Sequence, residues 1–481
     1  MSTSTRAMTT PNPIVRPGRL LTVLCAGMFL VLLDVTIVNV ALPSISHQLH
    51  ADSATLQWVV DGYAVAIGGL LLAGGTLGDR FGHRRILLIG FAVFGAASLI
   101  CALAPTIGVL VGGRVLQGVG GALLLPSTMA ALVDAFPDRA AQAKALGTWA
   151  AISSLALPAG PLLGGLLVSG LGWRPVFWIN VPLIVLALVA IPAVVPARPA
   201  NRQAGGIDIL GLTGFVVGLS GLVFTVISAG HHSDPVLLAV SALVTLAALG
   251  IALRSARHSA HPILPWDLLR RRDFLSPNVV ALTMNLVFNG LLFVSMLYLQ
   301  DVLHYSPFAA GCAVLPLAVP LVALAPVSGR LTARRGPRTA IAIGCVAAVL
   351  GSLLLTQVRP SSGIGWLLAG FALLGVGAGL VTTSVVAAVV RATPSDRSGL
   401  ATGVSNTARQ IGTACGVAIF GAIAGSPTTP GFRHAIPLLA IIAAALWAMA
   451  LAVTLHGIGR QQGSSAAGVS PARGTRVPPV E

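Results

Sequence analysis

Fourteen long runs almost free of charge divide this chain, and they constrain its fold more than any other feature. They lie at residues 20–42, 56–78, 86–104, 107–133, 145–169, 176–196, 208–229, 236–253, 278–300, 308–329, 339–357, 364–390, 399–424 and 435–456. One helical crossing of a bilayer takes about 20 apolar residues, so each run is read as a span. Charged residues make up 9% of the 481, where water-soluble domains carry about 25%. Such a chain cannot cover an aqueous surface, which excludes a soluble multidomain enzyme. The first run is too long for the apolar core of a cleaved leader and contains Asp34, so it is read as a retained span 1.

The formal net charge of +16 raises the question of nucleic acid, but proteins that bind it cluster Lys and Arg on one soluble face. Here the basic residues stand singly between apolar runs, and the partner they imply is the lipid bilayer. Counted by alternate loops, 24 of the 29 fall on one side, and Arg174, Arg359 and Arg433 fall on the other. Arg114 and Arg409 lie inside spans. The positive-inside rule then places both termini in the cytoplasm of a multi-pass protein of the cell membrane and requires an even number of spans. Fourteen is preferred to twelve, because the pair at 208–229 and 236–253 is as apolar as the rest.

The chain also repeats itself. Gly75-Thr-Leu-Gly-Asp79-Arg80-Phe-Gly82 ends span 2, and Gly329-Arg-Leu-Thr-Ala333-Arg334-Arg-Gly336 ends span 10; both read GxLxxRxG, 254 residues apart. Gly118-Val-Gly120 and Gly375-Val-Gly377 agree at an offset of 257. An offset longer than half the chain requires an insertion between two halves. The expected organisation is a tail over 1–19, a six-helix bundle over 20–198, two inserted helices over 199–256, a second six-helix bundle over 257–456, and a disordered tail over 457–481. The fold class is an all-α polytopic membrane protein.

Within the spans a few polar residues stand out. Asp34, Arg114 and Asp61 come from three spans of the first half and share a level, about 12, 10 and 8 Å below one surface by helical rise. A charge at such depth costs about 2.5 to 3.5 kcal/mol and needs a partner or a purpose. One reading is a carboxyl that gains and loses a proton; the other is a static Asp34–Arg114 pair that fixes packing, with Asp61 simply hydrated. Asp79, followed by Arg80, Arg84 and Arg85, forms a compact charged latch in a loop of about eight residues, with Gly75 and Gly78 allowing close approach. In span 5, Pro158 and Pro161 bend the helix while Gly160, Gly164 and Gly165 smooth one side of it.

In span 13, Thr402, Asn406 and Thr413 share the face of Arg409, a stripe expected to line a cavity unless Arg409 reaches to the interface. Asn285 and Asn289, with Met296 on the same face of span 9, suit an adaptable pocket or a helix contact. Asp301 at the end of span 9 is expected to be hydrated. The five cysteines lie in spans without paired spacing and read as packing residues. His231-His232 is a weak candidate for a metal. No phosphate-binding GxxxxGK[ST] segment, HExxH or GxSxG is present, so neither an ATP-driven pump nor an embedded enzyme is expected.

Taken in order, these stretches resemble the major facilitator superfamily, and within it the fourteen-span drug:proton antiporters of the EmrB/QacA type. The resemblance rests on Leu33-Asp34-Val-Thr36-Ile-Val-Asn39-Val-Ala-Leu-Pro43, the Gly75–Arg85 loop, Arg114-Val-Leu-Gln117-Gly118, Gly160-Pro161-Leu-Leu-Gly164-Gly165, Trp173-Arg174-Pro-Val-Phe177-Trp-Ile-Asn180-Val-Pro182 and Asn406-Thr-Ala-Arg409-Gln410. It implies a monomeric exporter of amphipathic, cationic or zwitterionic compounds driven by protons, without cofactor or metal. Proton coupling would fall to Asp34, Arg114 and Asp61. Substrate contacts would fall to Asp61, Trp58, Asn39, Asn285, Asn289, Met296, Asn406, Arg409 and Gln410. Gly75, Asp79, Arg80, Gly82 and Arg84 would form a latch engaging the opposite half when the cavity faces outward. Pro158, Gly160, Pro161, Gly164 and Gly165 match the antiporter signature. An importer and a dedicated exporter of one self-made metabolite stay open as alternatives.

Overall fold

A computed structural model describes residues 17–136, 138–196, 208–230, 234–259, 266–393 and 398–459. The helices of the first half are α1 (Pro17–Leu49), α2 (Ser53–Phe81), α3 (His83–Ala102), α4 (Ile107–Ala135), α5 (Arg139–Leu171), α6 (Pro175–Trp178) and α7 (Asn180–Val194). Two more follow, α8 (Ile209–Gly230) and α9 (Pro235–His258). The second half contains α10 (Trp266–Leu269), α11 (Arg272–Leu297), α12 (Pro307–Ala313), α13 (Leu315–Ala323), α14 (Ala325–Arg335), α15 (Pro337–Leu355), α16 (Gly365–Arg391), α17 (Ser398–Ala424) and α18 (Ala435–Gly457). No strand occurs among the described residues. Both expected tails, except for 17–19 and 457–459, and His231-His232 lie outside the described residues.

The helices start where the sequence supplies acceptors for otherwise orphaned N–H groups. Asp52 accepts from the Thr55 amide at 2.9 Å, and Asp138 accepts from that of Ala141 at 2.8 Å. Twelve helices are long and apolar enough to cross a membrane, or thirteen if the bent pair α13 and α14 is one span. α17, with Asn406, Arg409 and Gln410 in its middle, is not among them. Span 10, expected as one helix, is broken into α12, α13 and α14, the last two bent by 44°. Pro316, Pro320 and Pro326 supply the reason, since each lacks a backbone donor and crowds the preceding turn.

The repeat is visible in the backbone. α2 runs to Phe81 and α3 begins at His83, so Gly82 alone connects them; α14 ends at Arg335 and α15 begins at Pro337, with Gly336 between. Both glycines take positive φ, 90° and 80°, a region closed to most side chains. Their amides return to Gly78 and Thr332 carbonyls at 2.9 and 3.0 Å. The eight-residue latch loop expected from sequence is therefore a single residue, because glycine at this φ lets the chain reverse between two uninterrupted helices.

α1 packs on α5 and α7, and α4 packs on α2 and α3; in the second half, α16 packs on α13 and α15, and α11 on α17 and α18. The halves meet where α2 lies along α17, α5 against α12 and α13, and α1 against α11. α8 covers the seam between α2 and α17 and carries α9 on its outer side. The outward side chains of α9 are apolar, with Leu243 69% and Leu246 68% exposed, as expected of a surface facing lipid.

The two ends of the seam differ. At the end away from the basic loops, Gln300 donates to the Val40 carbonyl at 3.1 Å, the Phe308 amide donates to Ser169 Oγ at 3.2 Å, and His47 lies 3.5 Å from Asp301. Asp301 is thus tied across the seam rather than merely hydrated. α5 comes close enough there that a Cβ on Gly165 would stand 2.7 Å from Phe308 Cα. A cysteine pair at Ser169 and Phe308, in a background lacking the native cysteines, should therefore crosslink readily. Adding Gly165→Leu should suppress that crosslink by holding this end apart, while unchanged crosslinking would contradict the packing described.

Candidate functional site

Two charged sites lie within the spans, and they differ in how completely their charge is answered. The first is built inside the first half. Asp34 on α1 is bound by Arg114 on α4, by Gln117 Nε2 at 3.2 Å and by Asn180 Nδ2 at 3.0 Å. Arg114 also donates through Nη1 to Gln117 Oε1 at 2.8 Å and through Nε to the Val59 carbonyl at 2.9 Å. Its guanidinium stacks 4.3 Å over the Tyr63 ring. Ser98 Oγ accepts from Gln117 at 2.8 Å and from Asn180 at 3.3 Å. Asp34, Arg114, Gln117, Asn180 and Ser98 are each no more than 1% exposed.

Sequence reasoning placed Asp34 and Arg114 together, and they are. It missed Gln117, Asn180, Ser98 and Tyr63 as partners, although Gln117 stands three residues from Arg114 on one helical face. The saturated network matches the static packing reading: each carboxylate oxygen and three of the guanidinium's contacts are satisfied within one bundle.

Asp61, expected at the same level as the pair, turns the other way. Two residues along a helix rotate a side chain by about 200°, so while Tyr63 faces Arg114, Asp61 faces α17. The register is set by neighbours on that side, with Gln57 against Gly421 and Gly68 against Gln410. Asp61 is fully buried, and neither carboxyl oxygen has a hydrogen-bond partner. The Gln57 amide, one turn away, is likewise buried without a partner. The expectation that three groups form one constellation is therefore corrected to a pair and a separate acid.

The second half supplies a polar stripe on α11 and α17. Asn289 donates to Thr413 Oγ1 at 3.1 Å and to the Asn285 carbonyl at 3.0 Å. Arg409 donates through Nη2 to the Thr382 carbonyl on α16 at 3.1 Å, and its Nε is buried without an acceptor. The arm thus runs sideways to α16 instead of reaching to a helix end. Asn285, Asn289, Asn406, Arg409 and Gln410 are partly exposed. Met296 is fully buried in the core, Asn39 is buried on its own helix's Val35 carbonyl at 3.0 Å, and Trp58 packs with the cluster of Leu219 and Val223 on α8. These three do not join the stripe.

In the latch, Asp79 lies 3.5 Å from His83 on the next helix, and Arg80 stacks over Phe81. Near the second copy, where Ala333 replaces the acid, lies a hydroxyl cluster that no motif announces. Ser328, Thr332 and Ser384 share hydrogen bonds of 2.7 to 2.9 Å, and Thr383 donates to Ser328 at 2.6 Å. In the Pro158–Gly165 stretch of α5, Gly160 and Gly164 lie against Thr36 and Ile37 of α1, while Gly165 and Pro161 meet Phe308 and Gly311 across the seam. Among the described residues no three His, Cys, Asp or Glu side chains gather as a metal site.

A family model described as Major Facilitator Superfamily matches residues 24–417. The chain is 33% identical over 430 residues to a methylenomycin A resistance protein of Streptomyces coelicolor, covering 89% of this chain and 90% of that one. It is 36% identical over 421 residues to the puromycin resistance protein pur8 of Streptomyces alboniger, covering 85% and 82%. A multidrug efflux pump, LfrA, of Mycolicibacterium smegmatis is 32% identical over 417 residues, covering 86% and 82%. Among solved structures, the nucleoside transporter NupG superposes with a TM-score of 0.65 at 12% identity, covering 91% of this chain and 99% of that one.

The saturation of the first site makes a stability prediction. Asp34→Asn leaves a buried guanidinium without its counter-charge and should cost about 3 to 5 kcal/mol. Replacing both partners by apolar residues, Asp34→Leu with Arg114→Met, should recover much of that loss. Thermal unfolding of the purified proteins in detergent checks the order; a double variant less stable than Asp34→Asn would overturn it.

Proposed function

The chain belongs to the major facilitator superfamily, and from that premise we propose that it is a proton-coupled antiporter exporting amphipathic, cationic or zwitterionic drugs or antibiotics. The relatives support export, since those named above are resistance proteins and an efflux pump. The many apolar helices support a multi-pass membrane protein. The 24 to 3 distribution of basic residues supports cytoplasmic termini in the cell membrane. Counting α17 and the α12–α14 segment as one span each gives the fourteen spans of the EmrB/QacA type. The protein acts as a monomer, with protons and one small molecule as its partners.

The observation that carries proton coupling is the bare carboxyl of Asp61 at the seam between the halves. An unpaired carboxylate in a dry interior costs many kcal/mol and takes up a proton instead. Dry and closed, the α2–α17 seam therefore holds Asp61 as the neutral acid. When the halves part, water or a cationic substrate reaches it and the proton leaves. Asp34, its charge already answered by Arg114, Gln117 and Asn180, holds the first bundle in shape and has no comparable reason to exchange.

The conformation fits a resting state open toward the basic end. Three contacts close the other end of the seam, and the latch residues Asp79 and Arg80 meet His83 and Phe81 of their own half. A proton entering down a membrane potential of 100 mV contributes about 2.3 kcal/mol, which drives the outward step without a nucleotide.

Asp61→Asn should keep the fold and its binding of compound but lose coupling. In inverted membrane vesicles the parent should accumulate an amphipathic cationic dye when the lumen is acidified, and an uncoupler should abolish that accumulation. The Asp61→Asn protein should show at least tenfold less, a loss of about 1.4 kcal/mol of drive or more. Undiminished pH-driven accumulation by this variant would rule out Asp61 as the coupling acid, and accumulation in the opposite direction would favour an importer.

A further inference from the structure

Arg409 is the one Asp, Glu, Lys or Arg side chain in the described middle of the second half's spans, and it has no counter-charge. The described acids of that half are Asp267 and Asp273, before α11 and in its first turn, and Asp301 at the far end of the π turn that follows α11. A guanidinium has five N–H donors in a planar fork. Here Nη2 donates to a neutral carbonyl, that of Thr382 at 3.1 Å, and Nε is buried with no acceptor. α17 is surrounded by α2, α8, α11, α16 and α18, and Arg409, partly exposed, sends its arm toward α16, one of these neighbours.

The surroundings are suited to a ligand and not to a second ion pair. Asn406, Asn285 and Asn289 are partly exposed on the same stripe, and Thr382, whose carbonyl holds Arg409, also donates its hydroxyl to Met284 Sδ at 3.5 Å. From the register of Gly68 against Gln410 and Gln57 against Gly421, Asp61 stands opposite a position near 417. Arg409 is then about 12 Å away along α17 at 1.5 Å per residue. Each half thus brings one unpartnered polar group to the seam, a bare acid on α2 and a guanidinium on α17, and the two are well separated.

We propose that Arg409 is the specificity-determining residue for an oxygen acceptor on the exported molecule, a carboxylate or an equivalent planar pair of oxygens, bound by the free edge of the guanidinium fork. The proposal rests on the export reading above and narrows its substrate class: a zwitterion or an oxygen-rich amphiphile is taken in preference to a simple lipophilic cation. Bidentate geometry is why Arg, and not Lys, belongs here.

A zwitterionic xanthene dye with a free benzoate carboxylate, and the methyl ester of the same dye, share one cationic ring system and differ at the acceptor. Binding of each to the purified full-length protein is measured by fluorescence polarisation. The parent should hold the acid about tenfold more tightly than the ester, the value of one charge-assisted hydrogen bond. Arg409→Gln should bring the two affinities within twofold of each other while eluting as a single symmetric species, and Arg409→Lys should fall between. Equal binding by the parent, binding of neither dye, or a preference that survives Arg409→Gln would overturn the proposal. Should the Gln variant fail to fold, Arg409→Lys decides, and an undiminished preference there has the same consequence. Accumulation of the ester in acid-loaded inverted vesicles is scored separately, so loss of pH-driven transport with the acid preference intact would sink the export reading and spare this one.

Discussion

Everything in the first half is arranged around one constraint: a carboxylate and a guanidinium buried together must have every lone pair and proton answered. Asp34 and Arg114 approach that condition only because α1, α3, α4 and α7 each contribute a group and α2 adds the Val59 carbonyl and the Tyr63 ring. Moving any one of these helices by a few ångströms would strand a charge in a medium that cannot hydrate it. The pair therefore acts less as a source of stability than as a specification of how five helices stand to one another. A bundle specified in this way moves as a unit, which is what motion of one half against the other requires.

The second half reaches rigidity by other means. Where the first half brings α2 and α4 together through glycine, with Gly74 against the Ala122 carbonyl, the second has Ser328 hydrogen-bonded to the Leu380 carbonyl at 2.6 Å and to Ser384. Hydroxyls that donate and accept in a closed group tie two helices without placing charge in the interior. The repeat is thus one of backbone path, as the matching Gly82 and Gly336 turns show, and not of interior chemistry. The result is asymmetric: the first half holds a neutralised pair and a bare acid, and the second holds a lone cation.

What the sequence disclosed and what it hid follow from the same physics. Apolar length and the spacing of GxLxxRxG are properties of the chain alone, so the all-helical fold and the matching Gly82 and Gly336 turns were legible, with helix boundaries off by several residues. The breaks in span 10 follow from Pro316, Pro320 and Pro326, whose signal is masked by the apolar run they interrupt. Depth along a helix placed Asp34 and Arg114 at one level correctly. It failed for Asp61 because depth says nothing of azimuth, and only the phase relative to Tyr63 shows that the two side chains face opposite ways. Asn180 and Ser98 come from helices whose arrangement about Asp34 no spacing encodes. Asn39, Met296 and Trp58 were polar or adaptable residues with a local use: a bond to the same helix, core packing and contact with α8.

These placements locate where the free energy of the molecule varies with conformation. Within the bundles charge is either paired or absent, so their interiors favour one arrangement strongly. Along the seam, Asp61 and Gln57 on α2 lack partners, and Arg409 across from them has donors left over. Groups of that kind are satisfied differently by a dry closed seam, a hydrated open one and an occupied one: the acid by a proton, by water or by a cation, and the guanidinium by water or by an oxygen acceptor. A ligand shifts an equilibrium between conformations only through a difference in its affinity for them. The unanswered groups at the seam supply such a difference for a proton and for a compound at once, while the paired charges inside the first bundle keep the moving parts intact.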